Sequence, residues 1–315
     1  MLETKSRIYI AGHLGVVGSA LVRRFNNEAF ENLICRTRQE VELTSQDAVF
    51  QLFKATSPEF VIIAAAKVGG IAANMAAPAS FLLENLKIQV NILEACLRFG
   101  VTKTVFLGSS CIYPGNSTQP MPEESFMQGP LEPTNAPYAV AKISGIYLAQ
   151  ALHQQHGLNV ISPMPCNIYG PGDHFDFERS HVVSALVRRF VEAKREHAPK
   201  VTLWGTGSAR REFLHVDDLA DACLFLLRHY DSPEILNIGS GIDFSIRELS
   251  ELIASLVDYD GRLEWDTNKP DGMPRKLLDV TKLHQLGWQH TIDLETGLRT
   301  VLDDYHQRVQ FGGPI

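Results

Sequence analysis

The sequence of 315 residues is poor in cysteine: it holds five, scattered along the chain with no CxxC pair. An odd, dispersed set of this kind excludes a disulfide framework and a zinc ribbon, so a reducing compartment and no bound metal are expected. Excess positive charge is missing too. The formal net charge is -7, and basic runs such as "RRF" are short, which argues against a nucleic-acid partner and for a small-molecule one. No apolar stretch is clean enough to span a membrane. The most membrane-like runs from Phe60 to Leu83 and is interrupted by Lys67, Asn74 and several glycine or proline positions, so it reads as a buried strand followed by a loop. The N-terminal "MLETKSRIYIAG" lacks the long apolar segment and small-residue cleavage site of a secretory signal, so a cytoplasmic location is expected. No internal repeat or low-complexity tract is evident.

What is present is an ordinary globular composition, 45% apolar and 21% charged, on a chain long enough for two lobes around a shared cleft. Short apolar runs, "RIYIA", "NLIC", "FVIIAAA", "KTVFLGSS" and "LNVISPM", read as buried strands. Between them, "SQDAVFQLFKAT" and "ASFLLENLKIQVNILEACLRFG" carry apolar residues at helical spacing, with Gly100 a plausible stop. This alternation predicts an α/β fold, a doubly wound parallel sheet of the Rossmann type with helices on both faces. After about Pro165 the rhythm loosens. A basic amphipathic helix is expected near 181 to 196, and the strand "KVTLW" follows. A dinucleotide-binding domain is therefore expected over 1–165 and a second, smaller α/β substrate domain over 166–315. The two interleave, because part of 211–245, ending in "ILNIGSG", again reads as strand, helix and strand.

The first strand runs into "AGHLGVVG", which spaces Gly12, Gly15 and Gly18 as GxxGxxG before the helical "SALVRRF". Glycines let the backbone turn and approach a pyrophosphate, and the N–H groups of the following helix face its charge. The second strand then discriminates between dinucleotides. A carboxylate there would hold ribose hydroxyls, whereas a 2′-phosphate needs cations; "ICRTR" supplies Arg36 and Arg38, so NADP(H) is expected.

The segment "YAVAK" places Tyr138 and Lys142 four residues apart on one helical face. An adjacent ammonium is expected to stabilise the phenolate and bring the phenol toward neutrality as a general acid. Reduction of a ketone needs such an acid, because hydride arriving from a nicotinamide leaves an alkoxide. Ser109, in the strand ending in "GSSC" that precedes this helix, is placed to hydrogen-bond the same carbonyl. By residue type alone, Cys111 reads as a small buried hydrophobe and His181 as the first turn of a helix capped by Ser180. The arginines read as solvated helix faces, and Trp204 as core.

GxxGxxG, a strand-end serine and YxxxK in that order resemble the extended short-chain dehydrogenase/reductases. The stretches "AAAKVGGI", "FLGSSCIYP", "LEPTNAPYAVAKI", "SHVVSALVRRF", "LWGTGSARREFLHVDDLADA" and "KPDGMPRKLLD" narrow the resemblance to their GDP-L-fucose synthase branch. That branch epimerises carbons 3 and 5 of GDP-4-keto-6-deoxy-D-mannose and reduces carbon 4 with NADPH. The resemblance implies a Ser109, Tyr138, Lys142 triad for reduction, with Cys111 and His181 as epimerisation base and acid. It also implies nucleotide contacts from Arg189, Trp204, Arg211, Asp271 and Lys276, Asn167 near the sugar, and a homodimer packed through helices near 80 to 98 and 137 to 156. Chemically, a 4-ketone acidifies both neighbouring C–H bonds, and inversion needs two titrating groups; a thiol and an imidazole bracket neutrality. Two departures stand out: Leu14 replaces the branch's usual arginine, and "CNIYGPGDHFDFERSH" differs from its usual loop. A related GDP-4-keto sugar, such as the dideoxy sugar leading to colitose, remains open as substrate. A sugar 4,6-dehydratase is disfavoured, since "SSCIYP" offers no acid after the strand-end hydroxyl. The intact Ser109, Tyr138, Lys142 set argues against a noncatalytic NADP-binding protein.

Overall fold

The computed structural model describes residues 1–176, 180–269 and 271–312. In chain order its elements are β1 (Arg7–Ala11), α1 (Val16–Asn27), β2 (Asn32–Ile34), α2 (Gln46–Thr56), β3 (Phe60–Ile63), α3 (Ile71–Ala76), α4 (Pro78–Arg98), β4 (Lys103–Phe106), α5 (Ala136–His156), β5 (Val160–Pro165), β6 (Asn167–Tyr169), α6 (Val182–Arg195), β7 (Lys200–Trp204), β8 (Arg210–His215), α7 (Val216–His229), β9 (Ile235–Ile238), β10 (Asp243–Ser245), α8 (Ile246–Leu256), β11 (Arg262–Asp266), β12 (Arg275–Lys276), α9 (Thr281–Gln285) and α10 (Leu294–Phe311). Single turns of 3₁₀ helix lie at Ser110–Ile112 and Glu123–Ser125.

The main sheet has six parallel strands in the order β2-β1-β3-β4-β5-β9. The direction of winding reverses between β1 and β3, and in such sheets ligands collect outside the carboxyl ends of the strands at that point. β3 and β4 are buried on both faces, which is why they read as unbroken apolar or mixed runs rather than alternating ones. "NLIC" departs from the expected buried strand. β2 is the sheet's edge, with Asn32 exposed and Leu33 and Ile34 half-buried.

The stretch after β3 also departs from expectation. Beyond the loop at 64–70 it forms α3, while the helix expected from Ala79 is present as the 21-residue α4, which opens on Pro78, a position where its missing N–H is not needed. α4 ends at Arg98, followed by Gly100 at φ +68°. α5 opens on a proline in its first turn and closes on Gly157 in the left-handed region. α4 and α5 pack against each other. α4 is long, but among the described residues no helix is long and apolar enough to cross a membrane.

Two smaller sheets follow: β8 pairs antiparallel with β10 and parallel with β6 and β12, while β7 and β11 form a parallel pair. A second apolar cluster, built from Val187 and Phe190 of α6, Leu249 and Ile253 of α8, and Leu298, Val301 and Tyr305 of α10, supports them.

Candidate active site

The glycine loop sits between β1 and α1 and is fixed by backbone geometry. Gly12 lies at φ +85°, and a Cβ there would fall 2.7 Å from the backbone of Ala65. A Cβ on Gly18 would collide with the Gly12 carbonyl, so α1 can lie this close to the loop only with glycine at that position. Gly15 differs. It precedes α1 in an ordinary extended conformation, and its nearest neighbour to an added Cβ is the Gly12 oxygen at 3.5 Å. No side chain caps α1 there, so the N–H groups of its first turn face the cleft. The loop is thus a cradle that side chains would fill, and a pyrophosphate fits it. Arg36 and Arg38 border the same cavity. Arg38 is paired through Nε with Glu42 at 2.8 Å, while Arg36 donates from Nη1 to the Cys35 carbonyl. Leu14 is 71% exposed at the tip of the loop.

The cavity holds about 700 Å³. Besides Gly12, Gly15, Gly18, Arg36 and Arg38, its wall includes Ser109, Cys111, Tyr138, Lys142, Asn167, His181 and Lys276. Residues from β1, β4, α5, β6, α6 and β12 therefore converge on one space. Ser109 lies three residues beyond the end of β4 and caps the 3₁₀ turn 110–112, accepting from Cys111 N at 3.3 Å. Tyr138 and Lys142 stand on the first turns of α5. Lys142 is buried, donates from Nζ to the Leu107 carbonyl at 2.7 Å, and lies 5.0 Å from the Phe106 ring centroid and 5.8 Å from that of Tyr138.

The electrostatics differ from the expectation of a phenolate brought toward neutrality. Burial pushes the Tyr138 phenol well above its usual range, with the Cys111 thiol adding to it, and burial pushes the Lys142 ammonium down to about 8. The physical reason is desolvation, which penalises both charged forms more than their proximity helps. Tyr138 is accordingly held as a protonated phenol. Cys111 also departs from a thiol near neutrality. Burial raises it, opposed first by the charge of Lys276 and then by Ser109 and Lys142.

His181 is itself the residue that precedes α6, not part of its first turn, and Ser180 Oγ is buried without a partner among the described residues rather than capping the helix. The His181 ring is 47% exposed, and its Nδ1 lies 3.4 Å from Oδ1 of the buried Asp173. That hydrogen bond, against the opposing cost of burial, raises the imidazole. Lys276 sits on β12 in register with Arg211 of β8, and burial lowers it. Its strand is laced to the loop after Cys111: Leu277 N donates to Gln119 Oε1 at 2.8 Å, and Met121 N to the Leu277 carbonyl at 2.8 Å. Glu212, fully buried on β8, accepts from Gly241 N at 2.7 Å and Leu278 N at 3.0 Å. Its backbone carbonyl accepts from Asn167 Nδ2 at 2.8 Å.

Four expected nucleotide contacts, Arg189, Trp204, Arg211 and Asp271, are not in the cavity wall. Arg189 donates to the Thr202 carbonyl at 2.9 Å, and Arg211 to those of Arg210 and Met273 at 2.8 and 2.7 Å. Asp271 accepts from Thr206 N and Oγ1 and so ties the loop after β7 to the segment before β12. Trp204 is not core. It is 68% exposed, with Lys269 Nζ 5.4 Å from its ring centroid. Conversely, Asp173, Lys67 and its ion-pair partner Glu84 line the cavity without having been singled out from the sequence. Asp173 lies in the turn-rich "GPGDHF", where no periodicity marks a side chain that turns inward.

A six-stranded doubly wound sheet with a glycine cradle at its switch point, and a serine, tyrosine and lysine facing the same cleft, defines a nicotinamide-dinucleotide enzyme of the extended short-chain class. The pattern of the NAD dependent epimerase/dehydratase family matches residues 8–239, and the chain belongs to that family. Within it, the chain is similar to the GDP-L-fucose synthases. It is 52% identical to GDP-L-fucose synthase 1 of Arabidopsis thaliana, over 98% of this chain and 96% of the relative. It is 49% identical to the GDP-L-fucose synthase of Escherichia coli K12, over 94% of this chain and 95% of the relative. Among solved structures, a GDP-L-fucose synthetase of Naegleria fowleri bound to NADP superposes with a TM-score of 0.90 at 26% identity, over 98% of this chain and 97% of that one.

Proposed function

We propose that this protein makes GDP-L-fucose, epimerising carbons 3 and 5 of GDP-4-keto-6-deoxy-D-mannose and reducing its 4-keto group. The observation that carries the reading is the gathering of Ser109, Cys111, Tyr138, Lys142 and His181 on one cavity that also contains the glycine cradle. The cradle and Arg36 would hold NADPH, which supplies the hydride when bound. Ser109 and Tyr138 donate to the C4 oxygen, so the enolate formed when a proton leaves C3 or C5 has its charge met. Cys111 takes that proton, and His181, across the same cavity, returns one. Lys276 is the positive charge that most favours the Cys111 thiolate. When C4 is reduced, Tyr138 passes its proton to the oxygen. A phenol kept protonated by burial is in the form that this step needs. Lys142 is set beside Tyr138 by the Leu107 carbonyl and would reach the nicotinamide ribose.

For the nucleotide, Lys276 in the cavity and Arg211 beside it on β8 offer cations to a diphosphate. Arg189, Trp204 and Asp271 are assigned to the same nucleotide, although they do not line the cavity. The chain is further read as a cytoplasmic homodimer. Leu83 and Val90 on α4 and Val140 and Tyr147 on α5 are exposed apolar side chains on adjoining helices, a face suited to a second copy.

Incubation of the pure protein with NADPH and GDP-4-keto-6-deoxy-D-mannose tests this directly. Loss of nicotinamide absorbance together with deuterium at C3 and C5 in heavy water is expected. No turnover rejects the enzyme reading, whereas turnover confined to a 3,6-dideoxy substrate selects a colitose-forming enzyme instead.

A further inference from the structure

We infer that Asp173 is the positioning residue of the epimerisation acid: it fixes which nitrogen of His181 faces the substrate and holds the ring as a proton donor. The inference rests on the reading of His181 given above and adds a residue and a proton state to it. Asp173 is 1% exposed, yet it is a carboxylate in full use. Oδ2 accepts from Ser184 Oγ at 2.6 Å, and Oδ1 accepts from His174 N at 2.8 Å and lies 3.4 Å from His181 Nδ1. Its main chain is pinned as well. Its carbonyl accepts from Arg308 Nη1 at 2.9 Å, and the preceding Gly172 N donates to Asp304 Oδ2 at 3.0 Å. Two helices, α6 through Ser184 and α10 through Arg308 and Asp304, therefore set the carboxylate before His181 meets it.

Because the carboxylate only accepts, the proton of a neutral His181 sits on Nδ1 and Nε2 is the nitrogen left for the ligand. In the imidazolium form, Nε2 carries the transferable proton. A buried carboxylate costs several kcal/mol unless its charge is met, so the pair favours a protonated ring. Among the described residues, charged groups on the neighbouring helices have partners of their own. On α10, Arg308 is paired with Asp304; on α6, Arg188 is paired with Glu192 and donates to the Phe175 carbonyl. Asp176 precedes the ring, and its carbonyl accepts from Ser180 N. Cys111, Tyr138, Lys142 and Lys276 face it across the cavity. Although Asp173 borders the cavity, both of its carboxylate oxygens are engaged by Ser184, His174 N and His181, so Asp173 acts through the ring and is not itself a catalytic residue.

Nitrogen-15 NMR of the unaltered protein, with His181 assigned by the His181→Gln variant, reads this without any change at Asp173. The neutral ring is expected as the Nδ1–H tautomer, with a titration midpoint above the ordinary 6.5 or so. In Asp173→Asn the midpoint is expected to fall by about one pH unit, and the alkaline limb of deuterium incorporation to move down with it, while NADPH binding is kept. Asp173→Glu, which retains the charge, is expected to recover part of the midpoint. A ring in the Nε2–H tautomer, or a midpoint that stays put in Asp173→Asn with NADPH still bound, overturns the inference. A midpoint that falls while the deuterium profile does not move leaves the pairing intact and instead overturns His181 as the epimerisation acid.

Discussion

At the β1 end of the cavity the main chain decides which residues are allowed, whereas at the β12 end side chains from distant segments decide what the site can do. Gly12 and Gly18 are required by their own neighbours' backbone atoms. At the other end, Lys276 owes its place to a two-residue strand held by Gln119 and Met121 of one loop and by Glu212 of β8, two distant parts of the chain. The first end is rigid before any ligand is considered. The second is a set of charges whose protonation depends on burial, and the difference predicts that substitutions at the two ends fail in different ways.

The largest effect is expected at Gly18. Gly18→Val drives a branched side chain into the Gly12 carbonyl and should cost about 4 kcal/mol or more, read as loss of soluble folded protein or a collapsed thermal midpoint. Gly15→Ala sharpens the contrast within the same loop. The added methyl makes only an ordinary contact with the Gly12 oxygen at 3.5 Å, so stability should fall by no more than about 1 kcal/mol, while NADPH affinity, measured by fluorescence titration, drops by about tenfold as the cradle fills. A loss of stability equal to that of Gly18→Val would erase the distinction between the two glycines.

At the chemical end, Tyr138→Phe should lower the rate of NADPH oxidation by about 10² to 10⁴-fold with little change in thermal midpoint. Glu212 supplies a pH test. Its folded pKa, raised by burial to about 7, lies above the unfolded value of about 4.3, so the folded state holds this proton more tightly than the unfolded one. Its contribution is therefore fullest below about pH 4 and is lost as the pH climbs through 7. Urea denaturation of the wild type against Glu212→Gln should show the stability difference shifting by about 3 kcal/mol toward the variant across that window. A flat difference would show that the backbone N–H groups of Gly241 and Leu278 fully offset the burial cost. The smallest effect separates the two arginines. Arg38 is already paired with Glu42, so Arg36→Ala should lower the preference for NADPH over NADH by about tenfold and Arg38→Ala by about twofold, measured as ratios of kcat/KM.

Much of this was legible in the chain because the relevant spacings are local. Three glycines over seven residues, and a tyrosine and lysine one helical turn apart, specify their geometry within a single strand-to-helix junction or a single turn. The alternation of apolar runs likewise carried the order of strands and helices through β5. Asp173 and Lys276 lay beyond such reasoning. The first depends on a loop turning inward under two helices, and the second on a strand too short to show a period. Proton affinities were illegible for a related reason. Four-residue spacing places Lys142 beside Tyr138, but only the packed surroundings reveal that Lys142 is buried and Tyr138 half-buried, and that desolvation reverses the expected direction for the phenol. The exposed Trp204 shows the converse: an aromatic residue in an alternating strand reads as core until the strand's solvent face is known.

The sixth strand has a bearing on how the molecule is made. β9 is synthesised some seventy residues after β5, the neighbour it covers along Ser162–Pro165. A nascent chain that has emerged only as far as α7 leaves that four-residue edge bare, and a holdase that shields β5 during this interval should raise the yield of native protein more than one acting after release.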